Sequence, residues 1–384
     1  MKQSLIYFLV VVLLVLSCKE EETLVTGFNI DKIVFTEGST LQVHEVTVTI
    51  EGEIHSPVPV HYEIQQGSAK EGLDINLTEG VLNFDQDQPT ATFSFEVIGD
   101  NHFEITESCV VMMEYLGSQY LFPLEIKDDD ALQPIQSDEE GFLTPDTYPS
   151  MQLKWADEFN ATALNTTDWT HELGNGCNIS LCGWGNNELE VYTDKPENIK
   201  LDNGKLVITA LEQSGGYTSA RIKTENKQEL RYGRIDVRAK LPKGQGIWPA
   251  IWMLGENIDV VSWPACGEID IMELVGHDPA TVHGTVHYRD DVYKYSSGST
   301  SLPSGDFSDK YHVFTIVWDF NTITWYVDNV PFKQFANSNI AGWPFNKSFY
   351  FIMNVAVGGN WPGPPDDTTV FPQQMTVDYI RVFQ

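Results

Sequence analysis

Gly267-Glu268-Ile269-Asp270-Ile271-Met272-Glu273 sets three carboxylates within six residues and threads Ile269, Ile271 and Met272 between them. A β-strand sends successive side chains to opposite faces, so Glu268 and Asp270 point one way and Ile269 and Ile271 the other. Strict alternation would turn Glu273 to the apolar face. One extra residue, in a β-bulge at or near Met272, returns it to the acidic face. Crowding three like charges raises at least one pKa, which a chain that only has to fold has little reason to accept. The plain alternative is a solvated edge strand with charges on its wet face.

Short alternating segments punctuated by Gly, Pro, Asn and Asp recur along all 384 residues, and helix-period runs are scarce. The chain therefore reads as all-β. Its length suits two domains, each able to bury its own core. Lys and Arg number 23 against 55 Asp and Glu, a net charge of −32 with no basic cluster. That field repels nucleic acid and excludes it as a partner.

The first residues read as a targeting segment. Lys2 supplies a positive start, and the apolar run 5–16 is shorter than the ~20 residues a spanning helix needs. Val15-Leu16-Ser17-Cys18 resembles the bacterial lipoprotein box, which implies a signal peptide over 1–17, lipidation of Cys18 and a tether over 18–24. Lys19-Glu20-Glu21-Glu22 resembles the signal that sends such proteins to the outer face of the outer membrane. The expectation is an exported bacterial lipoprotein, anchored through its lipid. An ordinary secretory signal with an incidental cysteine is the alternative.

Residues 25–130 read as a small immunoglobulin-like sandwich, with strands near 44–51, 58–64, 81–84, 90–98, 109–114 and 120–126. The stretch resembles a Calx-β domain through Phe35-Thr36-Glu37-Gly38, Gly80-Val81-Leu82-Asn83-Phe84, Gly99-Asp100 and the closing Asp128-Asp129-Asp130. Some members bind calcium at such acidic ends; a solvated acidic turn is the alternative. Residues 131–148, with Pro134, Pro145 and an acidic run, read as an exposed, partly stiff linker. Residues 149–384 read as the catalytic domain, with strands near 205–211, 233–240, 268–274, 281–288, 312–318, 322–327, 349–356 and 375–382. That many short strands fits a two-sheet jelly roll. Cys177 and Cys182 share a Gly/Asn-rich loop in which they can pair, whereas Cys109 and Cys266 sit in strand-like surroundings as buried thiols.

Paired carboxylates on one face suit glycoside hydrolysis, one as acid on the leaving oxygen and the other attacking the anomeric carbon or activating water. Across the bulge Glu268 and Glu273 stand roughly 13 Å apart along the strand at ~3.3 Å per residue. Leaning side chains can close that gap toward the ~5–5.5 Å of a retaining enzyme. Trp248, Trp252 and Trp263 flank the acidic strand, and their indole faces suit either sugar stacking or core packing. Trp184 and Trp361, in Gly-rich loops, are cleft walls or loop packing. His283, Thr285 and His287 share one strand face; two histidines with no third soft ligand make a poor metal site.

The acidic strand resembles the signature of glycoside hydrolase family 16 in its bulged form. The wider domain resembles the laminarinase branch through Gly183-Trp184-Gly185-Asn186-Asn187-Glu188-Leu189-Glu190, Tyr232-Gly233-Arg234, Gly246-Ile247-Trp248-Pro249-Ala250-Ile251-Trp252-Met253, Val282-His283-Gly284-Thr285-Val286-His287 and Gly358-Gly359-Asn360-Trp361-Pro362-Gly363. The resemblance implies a concanavalin-like β-jelly roll and an endo-acting, retaining β-1,3- or mixed β-1,3/1,4-glucanase. Glu268 would be the nucleophile, Glu273 the acid/base and Asp270 the helper of Glu268. Asn186, Asn187 and Arg221 would donate to sugar hydroxyls, with loop structuring the alternative for the Asn pair, and His287 would lie beside Glu273. No catalytic cofactor is implied. A structural calcium is, held by Glu158, the Gly204 carbonyl and Asp378, each of which also reads as a surface group. A galactan hydrolase acting on agarose, porphyran or carrageenan, a non-catalytic glycan-binding lipoprotein and a transglycosylase are the competing functions. The scarcity of Lys and Arg disfavours sulfated polymers, and the intact acidic trio disfavours a mere binder.

Overall fold

Period-two alternation builds nearly every element of the computed structural model, which describes residues 23–384 apart from 68, 70, 73, 77, 100–105, 128–135, 138–139, 149–150, 214, 339 and 341. The signal segment, Cys18, most of the tether, Asp100 and Asp128 to Asp130 lie outside the described residues.

The first domain is a two-sheet sandwich. One sheet runs Leu24–Ile30, Gln42–Glu53, Thr90–Val97, Ile75–Asn76; the other runs Val34–Thr36, Ser118–Lys127, Glu107–Tyr115, Val58–Gln66, Glu79–Phe84. All six expected strands are present to within two residues at each end. Leu24–Ile30 and Val34–Thr36 were not expected, because Gly27 and Asn29 break the first run and the second is three residues long. Phe35 still closes the core, edge-on to Phe95 at 5.0 Å.

The end of the expected linker is corrected. Rather than an exposed connector, residues 140–148 lie against the second domain. Phe142 N donates to the Tyr311 carbonyl at 3.0 Å, Arg238 Nε to the Phe142 carbonyl at 2.6 Å, and the Tyr148 hydroxyl to Asp236 Oδ2 at 2.8 Å. Phe142 and Tyr148 supply the apolar contacts that a purely polar spacer would lack, Tyr148 edge-on to Phe383 at 4.8 Å.

The strands that build the second domain's site are β1 (Thr170–Glu172), β2 (Arg221–Lys223), β3 (Ile247–Gly255), β4 (Glu268–Glu273), β5 (Thr281–Asp290), β6 (Val292–Ser301), β7 (Thr322–Val327), β8 (Val330–Ala336), β9 (Phe349–Val357) and β10 (Gln373–Phe383). Seven form one sheet in the order β1–β2–β9–β3–β4–β5–β6. The opposing ten-stranded sheet contains β10 and ends on β7 and β8. Ile251, Met253, Ile269, Ile271, Met272 and Val286 fill the space between the sheets. Burial on that scale is the main force holding the sandwich. Five of these strands went unread: β1 and β2, three residues each; β3, whose Trp-Pro start hides its alternation; and β6 and β8, edge strands with no buried residue to mark a face.

The bulge is present. On the β3 side Ile251 faces Met272 while Trp252 faces Asp270, which leaves Ile271 extra. On the β5 side Asp270 faces Thr285 and Glu273 faces His283, so Gly284 stands opposite two residues. Glu268, Asp270 and Glu273 thereby share the face turned away from the core.

Candidate active site

Each glutamate of β4 is held by one indole. Trp263 Nε1 donates to Glu268 Oε2 at 2.9 Å, and Trp248 Nε1 donates to Glu273 Oε1 at 3.1 Å. Asp270, between them, is only 3% exposed. Burial pushes Glu268, Asp270 and Glu273 all up to about 8; for both glutamates the next cause is the Asp270 charge. A site of this kind holds fewer than three negative charges near neutral pH.

His287 corrects one expectation. It pairs opposite Glu268, and His283 pairs opposite Glu273. Its Nε2 lies 3.3 Å from Asp270 Oδ2 and 3.6 Å from Glu268 Oε1. The antiparallel register, which motif order does not reveal, puts it on the Glu268 side.

Two of the five tryptophans present open faces. Trp263 is 46% and Trp361 43% exposed. Trp361 stands edge-on to Trp248 at 5.6 Å and to His283 at 5.0 Å, on the Glu273 side of the acids. On the Glu268 side Trp263 continues into Tyr293, 5.2 Å away, and the Tyr293 hydroxyl meets His287 Nδ1 at 2.8 Å. Tyr293 and Tyr295, both exposed and stacked on His287 from β6, escaped the sequence reading. Their spacing of two beside Ser297 and Ser299 was the available signal.

Trp184 is corrected from cleft wall to packing residue. It is 5% exposed, against Tyr192 at 5.3 Å. Arg221 is corrected as well. Its guanidinium lies between Trp184 at 4.4 Å and Trp252 at 4.9 Å and donates to Glu172, so it braces the loop in place of reaching for a hydroxyl. Trp252 Nε1 donates to Asn354 Oδ1 at 2.9 Å. Asn187 Nδ2 donates to Asn360 Oδ1 at 2.8 Å, and the Asn186 carbonyl accepts from Asn360 N at 2.8 Å. The Asn pair thus ties the Trp184 loop to the loop that carries Trp361. Cys177 and Cys182 are joined in a disulfide at the start of the Trp184 loop, and Cys109 and Cys266 are buried free thiols.

Two of the three expected calcium donors, Glu158 and Asp378, are engaged by cationic side chains. Glu158 accepts from Arg381 at 2.7 and 2.9 Å. Asp378 accepts from Lys205 at 3.0 Å and also from Arg238. Cationic side chains thus pair with both carboxylates.

Residues 182–381 match the family model for glycosyl hydrolases family 16, and residues 19–131 match that for the Calx-beta domain. A glucan endo-1,3-beta-glucosidase A1 of Niallia circulans is 39% identical over 70% of this chain, which spans 44% of that relative's length. A beta-glucanase of Rhodothermus marinus is 40% identical over 62% of this chain and 87% of its own. The laminarinase catalytic domain of Thermotoga maritima MSB8 superposes with a TM-score of 0.56 at 48% identity, covering 61% of this chain and 98% of that domain.

Proposed function

The chain belongs to glycosyl hydrolase family 16, and on that premise we propose that it is an endo-acting, retaining β-glucanase that cuts β-1,3- or mixed β-1,3/1,4-linked glucose chains. One observation carries the reading: three carboxyls, Asp270 buried and both glutamates half-buried, share one strand face, with a separate indole N–H on each glutamate.

The roles are those the family resemblance implies, and the environments of the two glutamates are compatible with them. Glu268, which accepts from Trp263 and faces His287, acts as the nucleophile on the anomeric carbon. Glu273, in a buried setting that favours the protonated form, delivers its proton to the leaving glycosidic oxygen. The bond from the anomeric carbon to that oxygen breaks as the bond to Glu268 forms. A water then gives its proton to Glu273 and its oxygen to the anomeric carbon, releasing Glu268 with net retention. Asp270 is the helper of Glu268 that the family resemblance implies, and His287 Nε2 lies beside both carboxyls. Exposed Trp263 and Trp361 offer flat faces to sugar rings on either side of the acids.

Parallel digestion of laminarin, lichenan, agarose and carrageenan tests this. Internal cuts in laminarin or lichenan with β-configured first products are expected, and Glu268→Ala abolishes them while polymer binding survives. Cleavage of agarose or carrageenan alone, or full activity of Glu268→Ala, overturns the reading.

The anchor at Cys18 and an outer-membrane, surface-exposed location belong to the same proposal, the first on residues 15–18 and the second on residues 19–22. Cys18→Ala should move the protein out of the membrane fraction; unchanged fractionation refutes the anchor.

A further inference from the structure

The acid face of β4 does not stop at β5. Register carries it in straight rows to β6, the edge strand of the catalytic sheet. Glu268 pairs opposite His287 and His287 opposite Tyr295; Asp270 pairs opposite Thr285 and Thr285 opposite Ser297. Directly paired residues share a face, so Tyr295 and Ser297 stand on the same side as the acids, two strand spacings or roughly 10 Å away. The other face of these strands is filled. A Cβ on Gly284 of β5 would lie 2.4 Å from Trp325 Cδ1, and one on Gly298 of β6 would lie 2.9 Å from Lys333 Cδ. Trp325 of β7 also donates its Nε1–H to the Asp270 carbonyl at 2.8 Å. Side chains of the opposing sheet thus back β6 and give its outer row a fixed base.

That outer row is open and uncharged. Tyr293 is 47% and Tyr295 63% exposed, and Ser297, Ser299 and Ser301 are exposed as well. The two tyrosine rings lie 6.2 Å apart with planes 26° from parallel, and Tyr293 lies 5.2 Å from the open Trp263 indole. Three exposed rings therefore run in one row outward from Glu268. Contiguous apolar surface rimmed by polar groups marks a binding groove, where single exposed rings would not. An edge strand is ordinarily blunted by charged side chains. In a chain of net charge −32, the cleft face of β6 carries none. Ser297 Oγ accepts from Thr285 Oγ1 at 3.0 Å, which leaves its own O–H to donate outward. A ring face with a free hydroxyl donor beside it matches the C–H face and hydroxyls of a neutral sugar.

We propose that Tyr295, with Ser297 beside it, is a further sugar-binding platform: it takes a residue of the glucan chain that has run past Trp263 and leaves the catalytic sheet over the β6 edge. The inference rests on the glucanase reading and deepens it. Tyr293 is tied to His287 through its hydroxyl, whereas Tyr295 presents its ring to the cleft. Tyr295 becomes a specificity-determining residue for chain length. A sugar ring held at the acids does not extend across two strand spacings, so only a longer chain reaches the platform.

The test compares laminarin with laminaritriose as substrates of Tyr295→Ala and Tyr295→Phe. Loss of one stacking face should lower kcat/KM on laminarin about threefold to tenfold, mainly through KM, with a clearly smaller loss on laminaritriose. Tyr295→Phe keeps the ring face and should restore most of the laminarin value. An equal loss on both substrates, the mark of a disturbed His287, overturns the proposal, and so does an unchanged KM for laminarin. A second arm needs no turnover. In the Glu268→Ala protein, adding Tyr295→Ala should weaken laminarin binding in affinity electrophoresis by a similar factor, and unchanged retardation overturns the proposal. Failure of the glucanase reading is seen separately, as a wild-type protein that cuts no β-glucan.

Discussion

The Trp248 indole donates to Glu273 Oε1 at 3.1 Å, which makes the tryptophan both a neighbour of Glu273, the proposed acid/base, and an influence on its proton. A donor on a carboxylate favours the ionised form. Trp248→Phe keeps the apolar ring and removes the donor, so the Glu273 pKa rises. The alkaline limb of kcat should move to higher pH by about half a unit. A pH–rate profile checks this, with polymer affinity changed little.

The same burial makes the site a liability for folding. A carboxyl whose folded pKa lies above its unfolded value adds stability that is lost as pH rises through the folded value. For Glu273 that window runs from its ordinary 4.5 up to about 8. Glu273→Gln should therefore leave Tm nearly unchanged at pH 5 and raise it by roughly 2–4 °C at pH 8.5, while hydrolysis collapses. Thermal melts at the two pH values read it directly. A uniform gain at both would tie it to something other than the buried charge.

Gly284 has no room for a side chain, since a Cβ there would come within 2.4 Å of the fully buried Trp325. Gly284→Ala should cost about 1–3 kcal/mol by overpacking. It should also lower kcat, because a displaced Trp325 no longer holds the Asp270 carbonyl. Denaturant melts and laminarin kinetics measure the two effects in one protein.

Arg221 offers a contrast between bracing and binding. Its guanidinium is buried between two indoles and paired with Glu172. Arg221→Ala should cost roughly 3 kcal/mol, the scale of breaking a buried ion pair. A sugar ligand at this position would instead show as a raised KM at unchanged stability.

Much of this was legible in the chain. Alternation in residues 268–273 implied the bulge, because only an extra residue brings Glu273 back beside Glu268, and the register places it at Ile271–Met272. The sandwich strands were legible for the same reason: one face meets a core, and that demand is written every second residue. Edge strands β6 and β8 were not, since little of their surface is buried. The site residues that β6 carries, Tyr293 and Tyr295, were lost with it.

The sequence by itself determined an all-β chain, two sandwiches, the acidic face of β4 and the flanking indoles, because each depends on local spacing and side-chain chemistry. Only the tertiary structure decided which partner each group meets. Whether His287 serves Glu268 or Glu273 depends on antiparallel register, and whether Arg221 reaches a ligand depends on Glu172 from a strand 49 residues away. Whether Glu158 and Asp378 can hold a cation depends on Arg381, Lys205 and Arg238, which folding sets against them. Charges and hydrogen bonds act over a few ångströms in space, and residues far apart in the chain acquire that distance only when the sheets close.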